Sequence, residues 1–249
     1  VRQKSDLDTT TVRALADEAS ATITALAADP QCTHGLRRAL NACLVELGRF
    51  EQHLRPSASD ATSGVRRVQI GGGKRLLPGF CNIDIADPAD LVTDVREGIP
   101  LPDGSVEFVF TEHFLEHVDY PVSAKTVLAE CHRILEPGGE LVVGVPDAAF
   151  VLAGYAAGDA GVREQLMSRW YGRRDGLHDY DTYLGVVNLV FRDQDASTRY
   201  SPHLWAYDYE TLSALCRQAG FVTVEPWEHD PTIGNPDRAW GSVYVAARK

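Results

Sequence analysis

The chain leaves a short apolar run, Val68-Gln69-Ile70, through three successive glycines, Gly71-Gly72-Gly73, and then closes the next apolar run, Asn82-Ile83-Asp84, on a carboxylate. Glycine has no Cβ and tolerates positive φ, so a strand that ends in glycines can bring its backbone N–H groups close to a ligand. A carboxylate at the end of the neighbouring strand can accept hydrogen bonds from both hydroxyls of a ribose. The pairing points to a sheet whose strand ends form a nucleotide-type crevice. On the glycines alone, an ordinary tight turn reads equally well.

Strand and helix signals alternate after that point. Strands are expected at 67–70, 81–85, 91–93, 107–110 and 140–145, with a helix over 123–135. Such alternation means an α/β fold with a largely parallel sheet covered by helices. After Asp147 the pattern breaks into an aromatic and charged region, about 148–202, before a helix at 209–219 and two last strands near Val222 and over 243–247. Ligands of open α/β sheets bind beyond the carboxyl ends of the strands, so acceptor specificity is expected in that break. Ahead of the sheet, Val12, Leu15, Ala19, Ile23 and Leu26 recur at helical spacing, as do Leu36, Leu40, Leu44, Leu47, Phe50 and Leu54 after Asp29-Pro30. The chain thus divides into a helical pair with a polar linker, 1–64, and a larger unit, 65–249. Three roles are open to the pair: a lid over the substrate, a homodimer contact, or a clasp on the larger unit. The first two are preferred.

With 249 residues, 44% of them hydrophobic, the chain can bury a sizeable core. No stretch is apolar enough for a membrane span and the first residues lack an apolar signal core, so no membrane partner and a cytoplasmic location are expected. The cysteines at 32, 43, 81, 131 and 216 are odd in number and have no C-x-x-C spacing, which fits reduced thiols. The net charge is −11, and residues 1–64 hold seven basic and eight acidic side chains, so nearly all the excess lies on the larger unit. This argues against nucleic acid as a partner, because neutralising phosphates needs a basic surface, although acidic charge also serves solubility alone.

Two further runs sharpen the reading. Residues 99–118 include Ile99-Pro-Leu-Pro-Asp-Gly-Ser-Val106, then Glu112-His113-Phe114-Leu115-Glu116-His117-Val118; residues 130–139 read Glu130-Cys-His-Arg133-Ile-Leu-Glu-Pro137-Gly138-Gly139. Together with the glycine run and Asp84, these resemble the motifs of class I S-adenosylmethionine-dependent methyltransferases, in particular the type 11 group, over roughly residues 65–249. The resemblance implies a Rossmann-like, mostly parallel sheet with an antiparallel last strand. There are departures. Gln69 stands where an acidic residue is usual, and the third motif glycine is absent. Only 11 positions separate Gly73 from Asp84, too few for a full connecting helix, so a turn of helix at most is expected there. The run Gly71 to Asp84 is similar to a bacterial subset with this shortened segment.

What the resemblance implies is S-adenosylmethionine as cofactor. Gly71, Gly72 and Gly73 are assigned to its amino-acid and ribose side, Asp84 with Ile85 to the ribose, Asp94 and Val95 to the adenine, and Glu112 and His113 to the floor beneath the sulfonium. A hydroxyl acceptor needs a base, and histidine is suited to that near neutral pH. His203 is the first expectation, in a segment similar to one of the same bacterial subset, with Asp147 and His178 as alternatives. Positions i and i+4 share a helix face, so His113, Glu116 and His117 could also meet a divalent cation. Some small-RNA and ubiquinone-pathway O-methyltransferases hold a metal here with E-x-x-E-H, whereas most type 11 relatives carry a similar segment without one, so the cation is left optional. Trp170, Tyr171, Tyr180, Tyr183, Trp205 and Tyr207 could stack on sugar faces or simply pack. The expected activity is O-methylation of a small molecule or saccharide in secondary-metabolite or glycan biosynthesis. N-methylation, or a non-catalytic cofactor-binding module acting through a partner, is the alternative.

Overall fold

The structure, a computed structural model, describes residues 8–54, 64–171, 182–191 and 202–249. Seven strands form one sheet: β1 (Arg67–Ile70), β2 (Cys81–Asp84), β3 (Leu91–Val92), β4 (Val106–Glu112), β5 (Leu135–Pro146), β6 (Thr223–Pro226) and β7 (Ser242–Arg248), in the order 3-2-1-4-5-7-6. All pairs are parallel except those of β7, which runs antiparallel to both β5 and β6. The central strands read as near-continuous apolar runs because both their faces are covered. Leu141, Val142, Val143 and Val145 of β5 are all fully buried.

One face carries α3 (Val122–Ile134) and α7 (Tyr209–Gln218), whose Leu128, Cys131, Ile134, Leu212, Leu215 and Cys216 join the main core with Val68, Ile70, Val109 and Val143. On the other face the shortened crossover between β1 and β2 contains no helix, consistent with the expectation of one turn at most. Its own side chains replace one: Leu77 and Phe80 pack with Phe110 and Val142, and Trp227 and Ile233 pack against that cluster. Gln69 and Asn82 hold this loop down, since both accept from the Leu77 backbone N–H, at 3.1 and 2.8 Å. Gln69, which departs from the usual acidic residue, is thus a buried loop anchor. Arg75 fastens the far side of the loop to the backbone carbonyls of Ile233 and Gly234.

Glu130 and Arg133, the charged pair of the 130–139 motif, have a mechanical role. Glu130 accepts from the Ile99 N–H at 2.8 Å and pairs with Arg133 at 2.7 Å, while Arg133 donates to the carbonyls of Ile99 and Leu101. They clamp the loop leading into β4.

The described residues of the region after Asp147 are more regular than its composition suggests. They fold as α4 (Ala148–Ala157), α5 (Ala160–Gln165), a π-turn over Leu166–Tyr171 and α6 (Tyr183–Phe191) around a small core of Val151, Leu166, Val186, Val187 and Val190. At the start of the chain, α1 (Thr9–Ala28) and α2 (His34–His53) form an antiparallel hairpin, with Arg13 donating to the Leu54 carbonyl at 2.8 Å. No helix among the described residues is long and apolar enough to cross a membrane.

Candidate functional site

The carboxyl ends of β1, β2 and β4 meet at the glycine turn. Gly71 and Gly73 have φ of 70° and 58°, a region that disfavours side chains. A Cβ at Gly71 would come within 2.5 Å of the Phe114 ring, so that glycine lets the chain after β4 fold closely over β1. A Cβ at Gly72 would meet the Gln69 amide at 2.5 Å, which turns this residue toward the loop interior. At Gly73 a Cβ would meet nothing within 4 Å, so its backbone faces open space. The Gly73 N–H donates to Asp84 Oδ2 at 2.9 Å, which joins the first two motifs directly and leaves the half-buried carboxylate with acceptor capacity to spare. Ile85 follows at the mouth of β2, half-buried. An open backbone beside a carboxylate at the strand ends fits a ribose-bearing ligand such as S-adenosylmethionine.

Asp94 and Val95 follow β3 and are buried. The Asp94 carboxylate is gripped by Arg96, with three contacts between 2.6 and 3.0 Å, and Arg96 in turn reaches Glu46 of α2 at 2.9 Å. The helical hairpin is therefore fastened to the loop on the expected adenine side, the contact a clasp makes. Burial alone would push the Asp94 carboxyl up, but the hydrogen bonds and charge of Arg96 outweigh it and hold the group below its ordinary value. A depressed carboxyl contributes stability above its unfolded-state pKa of about 3.9, and the contribution is lost as pH falls through the lower folded value. Arg96→Ala is thus expected to be less stable than the wild type near neutral pH, with the difference shrinking in acid below about pH 4. Chemical unfolding across pH measures this, and a difference independent of pH would show that Asp94 is not the coupled group.

At the end of β4 the chain turns sharply. His113 adopts φ 52° and only Leu115–His117 forms a helical turn, of the tight 3-10 kind. The expectation that His113 and His117 share one face of a regular helix is therefore corrected, because the left-handed residue precedes the turn. The strained step nonetheless puts His113 Nδ1 3.6 Å from Glu116 Oε1, while His113 Nε2 lies 2.8 Å from Ser242 Oγ. Glu116 is buried, and its Oε1 is 3.9 Å from His117 Nε2. His203 arrives from a different part of the chain. Its ring lies 4.8 Å from that of His117, centroid to centroid, and its Nδ1 is 2.9 Å from the Val190 carbonyl. The segment carrying it is pinned by the Leu204 N–H, 2.7 Å from the Glu116 carbonyl, and by Trp205 stacked on Tyr120 at 4.2 Å. Burial drives the His113 imidazole well below its ordinary value, helped by Arg238, His203 and His117, and burial raises the Glu116 carboxyl against the opposing pull of His203.

The other expected site residues lie elsewhere in the architecture. The Glu112 carboxylate turns toward the β6–β7 connection, accepting from the Asn235 N–H at 3.1 Å and the Tyr244 hydroxyl at 2.9 Å. Asp147 caps α4, its Oδ1 accepting from the Ala149 and Phe150 N–H groups at 2.9 and 3.2 Å. Helix capping thus accounts for Asp147. Tyr207 is fully buried and packs in the core, and Tyr183 meets Tyr155 edge-on at 5.3 Å. His178, Tyr180 and the side chains of Trp170 and Tyr171 lie outside the described residues. The approach of His203 to the His113–His117 turn, across about 90 positions, has no local sequence signal; that of Ser242 to His113 has none either.

Residues 81–143 match the family model described as a methyltransferase domain. A curated relative, an uncharacterized 37.1 kDa protein in transposon Tn4556 of Streptomyces fradiae, is 49% identical over 49 residues, which are 20% of this chain and 13% of that protein. The chain is similar to a solved S-adenosylmethionine-dependent methyltransferase of Thermotoga maritima, described as a possible histamine N-methyltransferase, at 20% identity and TM-score 0.40, covering 86% of this chain and 93% of that one. A methyltransferase of Methanosarcina mazei gives 17%, TM-score 0.44 and coverages of 76% and 95%. The 1,6-didemethyltoxoflavin-N1-methyltransferase of Burkholderia thailandensis, solved with bound 1,6-didemethyltoxoflavin and S-adenosylhomocysteine, gives 14%, TM-score 0.41 and coverages of 100% and 93%. The seven-stranded sheet in the order 3-2-1-4-5-7-6 with β7 reversed is the class I methyltransferase arrangement, and residues 81–143 within it match the methyltransferase domain.

Proposed function

We propose that this domain methylates a hydroxyl oxygen of a small molecule or saccharide, in the cytoplasm and in the biosynthesis of a secondary metabolite or glycan. One observation carries the choice of oxygen: Glu116, His117 and His203 converge at the carboxyl end of β4, beside the glycine turn. Imidazole and carboxylate draw a proton away from oxygen, which a hydroxyl acceptor requires and a neutral amine does not. When bound, S-adenosylmethionine supplies a methyl carbon activated by its sulfonium.

The chain's own residues supply position and exclusion of water. Gly71 and Gly73 let the backbone approach the cofactor, Asp84 accepts from the ribose, and Asp94 with Val95 closes the adenine side. The acceptor side is taken by α4 and α6, with the Tyr155–Tyr183 pair, and by the segment before α7, where Trp205 stacks on Tyr120; these rings offer aromatic surface to a sugar. The acidic surface favours neutral or cationic acceptors over polyanions. The helical hairpin acts as a clasp on the cofactor side, with a homodimer contact through its outer face as the further role.

The test is turnover with S-adenosylmethionine and a panel of sugars, phenols and amines, read as S-adenosylhomocysteine release with the new methyl located by NMR. O-methylated products are expected. Products methylated only on nitrogen would overturn the reading, and tight S-adenosylhomocysteine binding with no turnover across the panel would favour the non-catalytic module.

A further inference from the structure

Glu116 is 2% exposed, and neither of its carboxylate oxygens has a hydrogen-bond partner among the described residues. An ionised carboxylate at that depth is costly without a compensating charge, and a protonated one would still leave its own O–H without an acceptor. Around it stand nitrogen ligands. His203 donates from Nδ1 to the Val190 carbonyl at 2.9 Å, which fixes its tautomer and leaves Nε2 with a lone pair. On the neighbouring side, His113 has Nε2 held by Ser242 Oγ at 2.8 Å and turns Nδ1 toward Glu116. A histidine whose outer nitrogen is anchored on an oxygen while the inner one faces a common point is the outer-shell arrangement of metal-ligating histidines.

One ligand atom each from Glu116, His117 and His203 lies within 4.8 Å of the others. Bonds of about 2.1 Å set ligand atoms about 3 to 4 Å apart, so the widest pair must close by about 1 to 1.5 Å to complete the site. We propose that Glu116, His117 and His203 bind one divalent first-row transition cation, with His113 walling its inner side. Two imidazoles and a carboxylate suit manganese, iron, cobalt or zinc, whereas magnesium and calcium prefer all-oxygen sets.

The role of this site rests on the hydroxyl reading above. The cation would hold the acceptor oxygen while its O–H bond breaks and the proton leaves to solvent. The oxygen pair forms the bond to the methyl carbon, and the carbon–sulfur pair returns to sulfur, so no oxidant or reductant is needed. His203 then serves as a ligand in place of a direct base.

The experiment titrates the chelator-treated full chain with cobalt(II) chloride, followed by calorimetry and by visible absorption. One equivalent is expected to bind with cobalt d–d bands. Glu116→Gln and His203→Ala are each expected to weaken it at least about 100-fold, above the 10–100-fold typical of outer-shell changes. S-adenosylhomocysteine affinity, measured on the same samples, stays within about threefold and reports that the variants are folded. Cobalt binding that does not saturate, or that survives both substitutions, would overturn the site. Full turnover of a hydroxyl acceptor by the chelated enzyme would overturn the cation's catalytic role, while leaving the hydroxyl reading in place. Stoichiometric cobalt binding in an enzyme that methylates only amines would support the site and sink that reading instead.

Discussion

Asp84→Ala is expected to weaken binding of S-adenosylhomocysteine by about two orders of magnitude, read by calorimetry. Hydrogen bonds to a charged acceptor contribute about 1.5–3 kcal/mol each, and two ribose hydroxyls sharing one carboxylate bring the loss to about 3 kcal/mol. The same carboxylate also orients the glycine turn, through the Gly73 N–H at 2.9 Å, so the alanine variant loses the ligand's partner and part of the turn's preorganisation together. Asp84→Asn separates the two. Its amide oxygen can still accept from Gly73, but it offers one acceptor in place of two and no charge, so a loss of about tenfold is expected. Folding should change little in either variant, because Asp84 is only half-buried and Gly73 faces open space where water can replace the lost acceptor. Unchanged affinity in Asp84→Ala would remove this residue from the ribose site.

The elements that could be read from the sequence are those whose cause is local. Glycines that must take positive φ, a carboxylate closing a strand, and apolar runs bounded by turn residues are each written within a few positions, which is why β1, β2, β4, α3 and α7 fall where the periodicity puts them. The short crossover was equally legible, since 11 positions cannot hold a turn, a helix and a second turn. What covers the sheet in place of that helix was not legible. Leu77 and Phe80 pack against Trp227 and Ile233, some 150 positions later, and only the tertiary fold brings them together. The same limit governed the site. His113, Glu116 and His117 stand out as a cluster, but a helical reading of i and i+4 spacing misses the left-handed turn at His113. The expectation for His203 came from its segment, and only the packing of Trp205 on Tyr120 and of Leu204 on the Glu116 carbonyl delivers it to that cluster. Glu112 stands in a motif of the cofactor floor, yet its partners lie on the β6–β7 connection, which no motif announces.

That last difference carries the second large effect. Glu112→Ala is expected to destabilise the fold by about 3 kcal/mol, because buried donors would lose a charged acceptor without water to replace it. The donors are the Asn235 N–H at 3.1 Å and the Tyr244 hydroxyl at 2.9 Å, with Arg238 at 3.6 Å. Tyr244 has no room to retreat. Its ring lies where a Cβ of Gly144 would stand, 2.2 Å from that position, so β5 carries a glycine there to admit the ring that reaches Glu112. Gly144→Ala should therefore reproduce much of the loss by pushing the ring away from the carboxylate. For a chain of this size about 3 kcal/mol corresponds to a fall in Tm of about 10 °C. Glu112→Gln keeps the shape and one acceptor but turns an NH2 toward donors, so an intermediate fall is expected. Burial, and then the Glu112 carboxylate, push the Tyr244 phenol up, so its proton stays on and the bond persists throughout the neutral range. Thermal unfolding of the three variants decides between two roles for this residue. A large drop in Tm that Gly144→Ala shares assigns Glu112 to locking the β6–β7 connection under the site. An unchanged Tm with lost S-adenosylhomocysteine affinity would assign it to the cofactor floor, and the hydrogen bonds to Asn235 and Tyr244 would then be dispensable to the fold.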